Sequence, residues 1–229
     1  MITTNIYTRV YRVHFGGIPG TAFSIEVEGK QYVVTAKHLL TDKEIYSINI
    51  DYDGTFCRIP CRLVGYGKDN MDVVVLALEQ QIGHTLPAPP SRHKLTFSQE
   101  VYFLGFPYNM RVDVGAFLKY PTPFVKKAII SGMEPGKYGA LYLDGINNPG
   151  FSGGPIVFKP YGSNTFHICG VVSGFRTEDI IALKGEDEAE TDLVVRLNTG
   201  IIIGCPIEAA TDVIAENPIG FRLPTASSQ

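Results

Sequence analysis

Gly150-Phe151-Ser152-Gly153-Gly154-Pro155, preceded by Asn147-Asn148-Pro149 and followed by the apolar run Ile156-Val157-Phe158, is the stretch on which the reading of this chain turns. A serine between glycines, just ahead of a strand-like run, sits where the backbone must turn sharply. In such a turn the backbone N–H groups are free to face a developing negative charge instead of joining a ladder. The Ser152 hydroxyl is therefore a candidate nucleophile. It then needs a histidine to take its proton and a carboxylate to orient that histidine.

Both lie upstream. Tyr32-Val33-Val34-Thr35-Ala36-Lys37-His38 is a β-branched run ending in a histidine, and Met71-Asp72-Val73-Val74-Val75-Leu76 puts an aspartate at the mouth of a buried strand. The separations are 72 − 38 = 34 and 152 − 72 = 80 residues. Taken singly, His38 reads as a strand-end residue, Asp72 as a turn residue and the glycine-rich segment as a turn. Gly150-x-Ser152-x-Gly154 also fits the nucleophile elbow of α/β-hydrolases, but that fold needs a histidine after the serine and a βαβ rhythm. Only His167 follows Ser152, and no such rhythm is present.

In the order His, Asp, Ser, the motifs resemble those of the trypsin-like (chymotrypsin-fold) serine peptidases. Val34, Thr35, Ala36 and His38 match the family's histidine motif, and Gly150-x-Ser152-Gly153-Gly154-Pro155 its nucleophile loop. In style they are closest to bacterial trypsin-like and high-temperature-requirement peptidase domains. Gly105-Phe106-Pro107, Ala128-Ile129-Ile130-Ser131-Gly132 and the segment 200–207 resemble strands of that branch. No sequence follows residue 229 for a PDZ domain, so a form without one is expected.

Composition bounds the alternatives. Of 229 residues 45% are hydrophobic and 19% charged, as in a globular protein, and the formal net charge is −3. That balance offers no basic footprint for nucleic acid or an anionic membrane. No apolar run approaches the ~20 residues that span a bilayer, and residues 1–20 lack the apolar centre of a signal peptide. The four cysteines include Cys57 and Cys61, which in an extended strand stand about 13 Å apart, too far for a disulfide. All four read as reduced thiols, and the expected location is cytoplasmic.

Many short β-branched and aromatic runs punctuated by 24 glycines and 15 prolines predict an all-β fold. Glu28-Gly29 and Asp53-Gly54 each separate two such runs and predict hairpins. Residues 86–91, Leu-Pro-Ala-Pro-Pro-Ser, break regular structure. With the resemblance, the expected architecture is two six-stranded antiparallel β-barrels. Residues 1–88 would form an N-terminal barrel carrying His38 and Asp72, 89–100 a linker, and 101–229 a C-terminal barrel carrying Ser152. Residues 207–216 place Ile207, Ala210, Val213 and Ile214 at helical spacing, which predicts a short C-terminal helix, and the resemblance implies that it packs on the second barrel. Residues 224–229 read as a frayed end. The acidic stretch 177–192 reads as a solvated surface loop, which the resemblance puts beside the substrate cleft, where it would favour basic residues near the cleaved bond.

The resemblance implies a serine endopeptidase acting on proteins or peptides without a cofactor or metal. Ser152 would be the nucleophile, His38 the general base and Asp72 its orienting carboxylate, with the N–H groups of Gly150 and Ser152 as oxyanion hole. Ser173, Gly174 and Phe175 would line the substrate strand. The residue six before the serine, Ile146, would lie at the base of the primary pocket, with Ile202 nearby, and favour an uncharged aliphatic or small side chain; a two-residue slip would put Asp144 there and favour lysine or arginine. Phe151 stands where zymogen-activated relatives carry an aspartate, so activation by a newly cut N-terminus is not expected. Other functions compatible with the motifs are an esterase with the same triad, a peptide-binding module without turnover, and a latent protease switched on by an unknown partner.

Overall fold

The computed structural model describes residues 1–40, 46–83, 85–113, 119–185 and 189–224. The residues 225–229 read as frayed and the acidic Glu186, Asp187 and Glu188 lie outside the described residues.

Six antiparallel strands, β1 (Val10–Phe15), β2 (Ile18–Val27), β3 (Lys30–Thr35), β4 (Ser47–Tyr52), β5 (Thr55–Tyr66) and β6 (Val74–Leu78), form the first ring, in the order β3-β2-β1-β4-β5-β6 and closed by β3 against β6. The second barrel, also antiparallel, consists of β7 (Glu100–Gly105), β8 (Phe124–Met133), β9 (Leu141–Asp144), β10 (Pro155–Phe158), β11 (His167–Lys184) and β12 (Ala189–Pro206), in the order β10-β11-β12-β9-β8-β7. This is the expected pair of six-stranded barrels. Glu28-Gly29 and Asp53-Gly54 form two-residue turns with positive φ at both positions (50° and 71°, 52° and 82°). That is the primed hairpin geometry, whose twist matches the flanking strands.

The apolar run at the mouth of which Asp72 stands owes its continuity to two different cores. On β6, Val74, Leu76 and Leu78 point into the first barrel with Tyr11, Val33 and Ile50. Val75 and Ala77 point the other way, into a cluster shared with Leu104, Phe106, Val157 and Val171 of the second half. A strand buried on both faces does not need to alternate. The inter-barrel cluster thus holds together the two halves that carry His38 and Ser152.

The C-terminal helix Glu208–Glu216 forms, but it packs on β5 and β6 of the first barrel, correcting the expected seat on the second. Gly65 on β5 leaves room for Val213, and Asn217 Nδ2 donates to the Val64 carbonyl at 2.9 Å. Beyond the helix, β13 (Phe221–Arg222) pairs with Lys30 and Gln31 of β3 in the first barrel. The acidic stretch 177–192 is corrected as well: its described residues extend β11 and β12 into a long hairpin instead of a loop. Alternating Asp179, Ile181 and Val194, Arg196 across paired strands explain why a run rich in carboxylates still pairs.

Candidate active site

His38 lies in a short 3-10 turn, Lys37–Leu39, directly after β3, and Asp72 just before β6. Because β3 and β6 are neighbours in the closed ring, residues 34 apart in sequence meet. The His38 backbone N–H donates to Asp72 Oδ1 at 2.8 Å, and Nδ1 lies 2.6 Å from Asp72 Oδ2. The same Oδ2 accepts the Ser173 hydroxyl at 2.6 Å. Burial pushes the Asp72 carboxyl up, but the hydrogen bonds from His38 and Ser173 and the nearby imidazole outweigh it, and the group ends below its ordinary range. Asp72 is therefore ionised at neutral pH and only accepts hydrogen bonds, so His38 Nδ1 carries the proton and Nε2 is left as the acceptor. Asp72 is largely buried, whereas the His38 side chain is 48% exposed.

Ser152 sits in the loop between β9 and β10. Gly150 (φ 103°) and Gly153 (φ 82°) hold backbone conformations that side chains disfavour, and a Cβ on Gly153 would strike the Thr21 carbonyl and the Thr35 hydroxyl. Phe151 is fully buried in the second-barrel core, edge-on to Phe103 with ring centroids 5.0 Å apart. The loop is thus anchored by an apolar side chain. The Ser152 hydroxyl donates to the Ser173 carbonyl at 3.2 Å, which puts it beside the residue that also holds Asp72.

The oxyanion-hole candidates are set by the carbonyls next to them. Pro149 O accepts the Tyr108 N–H at 2.7 Å and Phe151 O accepts the Gly154 N–H at 2.9 Å. In a trans peptide the N–H points opposite to the C=O, so the N–H groups of Gly150 and Ser152 are turned away from those contacts. Among the described residues neither donates to a protein acceptor.

One residue missed in the sequence binds the halves here. Thr21, on β2 and fully buried, donates its hydroxyl to Gly150 O at 2.7 Å and accepts the Phe106 N–H at 3.1 Å; its own N–H donates to Ser152 O at 3.0 Å. Its only signal was a threonine opening the strand-like run Thr21–Val27. Ser173 was read as a substrate contact, and the structure adds its bond to Asp72.

The pocket candidates separate. Ile146 is 51% exposed, Asp144 lies exposed on β9 between Ile129 and Ile201, and Ile202 is in the barrel core. Asn147, next to Ile146 in the chain, is buried and donates to Gly174 O at 3.4 Å. Lys126 donates to Ile146 O and, at 3.0 Å, to Asn148 Oδ1, and partial burial pushes its ammonium pKa down. Among the described residues no cluster of three or more histidine, cysteine or acidic side chains could hold a metal.

The family described as the trypsin-like peptidase domain matches residues 20–163, which include His38, Asp72 and Ser152. The chain belongs to that family. Its fold is similar to those of a serine endoprotease from Yersinia pestis (22% identity, TM-score 0.58) and the HtrA-type protease AlgW, solved with a tripeptide (18% identity, TM-score 0.60). Each likeness covers 93% of this trypsin-like chain, but only 63% and 61% of the other chain's length. A comparison with curated proteins found no match. Among the described residues, no helix of this family member is long and apolar enough to cross a membrane.

Proposed function

We propose that the chain is a serine endopeptidase working through Ser152, His38 and Asp72. The observation that supports this reading is the chain of hydrogen bonds in which His38 donates to Asp72, Asp72 Oδ2 accepts the Ser173 hydroxyl, and the Ser173 carbonyl accepts the Ser152 hydroxyl. Rotation of the Ser152 hydroxyl from the Ser173 carbonyl to His38 Nε2 starts the reaction; such bonds often form fully only with substrate bound. Oγ attacks the scissile carbonyl as Nε2 takes its proton, and the resulting imidazolium is stabilised by ionised Asp72. The N–H groups of Gly150 and Ser152 receive the oxyanion, each contributing roughly 3–4 kcal/mol. Nε2 then protonates the leaving amine, and water releases the acyl group by the same steps reversed.

The substrate is a protein or peptide, with an uncharged aliphatic or small residue before the cleaved bond. Ile146 and the buried, neutral Asn147 support that preference, since neither supplies a countercharge. The test is labelling of the purified protein with a fluorophosphonate, read by intact mass and peptide mapping. A single adduct on Ser152, lost in Ser152→Ala and His38→Ala, is the expected result. A folded protein that takes no label would overturn the proposal.

A further inference from the structure

The two longest strands leave the second barrel together. β10 pairs with β11 only as far as Val171, and β9 pairs with β12 only from Ile201 to Gly204, so residues 176–184 and 189–200 form a ribbon of just two strands. Ile180, Ile181, Leu193, Val194, Val195 and Leu197 on this ribbon are each between 41% and 67% exposed. A two-stranded hairpin is marginal in water by itself, and an uncovered edge is a template for another strand.

The hydrogen bonds tell which groups that edge presents. Ser173 O faces the nucleophile, accepting the Ser152 hydroxyl. Arg176 O and Ala182 O face the other way, accepting the hydroxyls of Thr199 and Thr191 on β12 at 3.0 and 2.7 Å. Carbonyls alternate along an extended strand, and pairing is regular from Thr177 to Ile181. Thr177, Asp179 and Ile181 therefore turn their N–H and C=O groups to the outer edge, the one that begins beside the catalytic serine. The eight steps from Ser173 to Ile181 make an edge of about 26 Å.

Resting on the peptidase reading above, in which Ser173 to Phe175 line the substrate strand, we propose that the ribbon prolongs that pairing: its edge at Thr177, Asp179 and Ile181 receives the more distant residues of the substrate, as an antiparallel strand running from Ile181 to the nucleophile. The strand must be the segment before the scissile bond. β11 runs away from Ser152, so a chain that places its carbonyl end at Ser152 lies antiparallel to it. With the acylated residue beside Ser173, about the seventh to ninth residues before the bond fall beside Ile180 and Ile181, and about the fifth to seventh beside Glu178 and Asp179. The favoured substrate is thus an extended segment, apolar at the far positions and neutral or basic at the nearer ones. The ribbon acts as a specificity element well beyond the primary pocket.

The experiment compares two coumarin amides sharing their last three residues. One has only those residues; the other is preceded by seven more, alternating valine with threonine or lysine. The longer substrate is expected to have a kcat/KM at least tenfold higher. That ratio should fall to near one when the amides facing the edge are N-methylated, and in Asp179→Pro, which removes an outward N–H. An initial ratio near one, or a ratio unmoved by both changes, would overturn the inference while cleavage of the short amide still upheld the peptidase. If neither amide is cleaved, anisotropy of the fluorescein-labelled longer peptide on Ser152→Ala protein decides: binding lost in Asp179→Pro supports the edge, and absence of binding overturns it. Dimerisation in sedimentation that Asp179→Pro abolishes would assign the edge to a second copy and likewise overturn it.

Discussion

Phe151 offers the sharpest handle on how the nucleophile loop is held. Its ring is fully buried among the second-barrel side chains, with Phe103 edge-on at 5.0 Å, while its neighbours Gly150 and Ser152 supply the candidate oxyanion donors. Truncation in Phe151→Ala removes a buried ring and leaves a cavity directly under the loop, a change that costs about 3–5 kcal/mol. For a chain of this size each kcal/mol lowers Tm by about 2–4 °C, so at about 4 kcal/mol the loss is roughly 8–16 °C. Folding survives, since domains are typically stable by about 5–15 kcal/mol. Phe151→Leu keeps most of the apolar volume and should lose about 1.5 kcal/mol or less. Calorimetry gives Tm, and the rate of fluorophosphonate labelling at 20 °C, where both variants are folded, reads the loop. Labelling of Phe151→Ala should slow at least tenfold, the equivalent of ~1.4 kcal/mol lost from the aligned loop, and that of Phe151→Leu only slightly. A Tm loss of the expected size with an unchanged labelling rate would refute the anchoring argument, because Phe151 would then merely fill the core.

Asp72→Asn should lower kcat by about 10⁴, because an amide in place of the carboxylate no longer fixes the His38 tautomer; a loss below tenfold in peptide hydrolysis would remove Asp72 from the triad. Ser173→Ala deletes one hydrogen bond to a charged acceptor, about 1.5–3 kcal/mol, and should cost about 10- to 150-fold in kcat. Asp72's lowered pKa means its hydrogen bonds stabilise the fold above the unfolded aspartate range and are lost as pH falls through the folded value. The Tm difference between the parent and Asp72→Asn should hold from pH 8 to 5 and vanish only below about pH 4; a difference already gone at pH 6 would contradict this. All four cysteines are free, with Cys57 alone exposed, and burial raises the Cys61 and Cys205 thiols to about 11 and the Cys169 thiol further. A maleimide should therefore modify one thiol rapidly in the native protein and four after unfolding, counted by intact mass.

The sequence by itself determined the all-β class, the hairpins at Glu28-Gly29 and Asp53-Gly54, and the candidates His38, Asp72 and Ser152; the pair of barrels followed from the resemblance those motifs carry. These are local signals: a turn with two positive φ values admits few residue pairs, and a glycine-bound serine after Asn-Pro leaves its mark within ten residues. What only the tertiary structure decided depends on residues far apart in the chain. Thr21 reaches the nucleophile loop 129 residues away. The Ser173 hydroxyl meets Asp72 across 101 residues. Neither pairing alters local composition, because a threonine or serine in a strand is unremarkable until the facing element is known. The C-terminal helix followed the same rule. Its apolar face was legible at Ala210, Val213 and Ile214, but amphipathic spacing says only that a face is buried, not against what. The gap at Gly65 settled that, and with it the return of the chain to the first barrel.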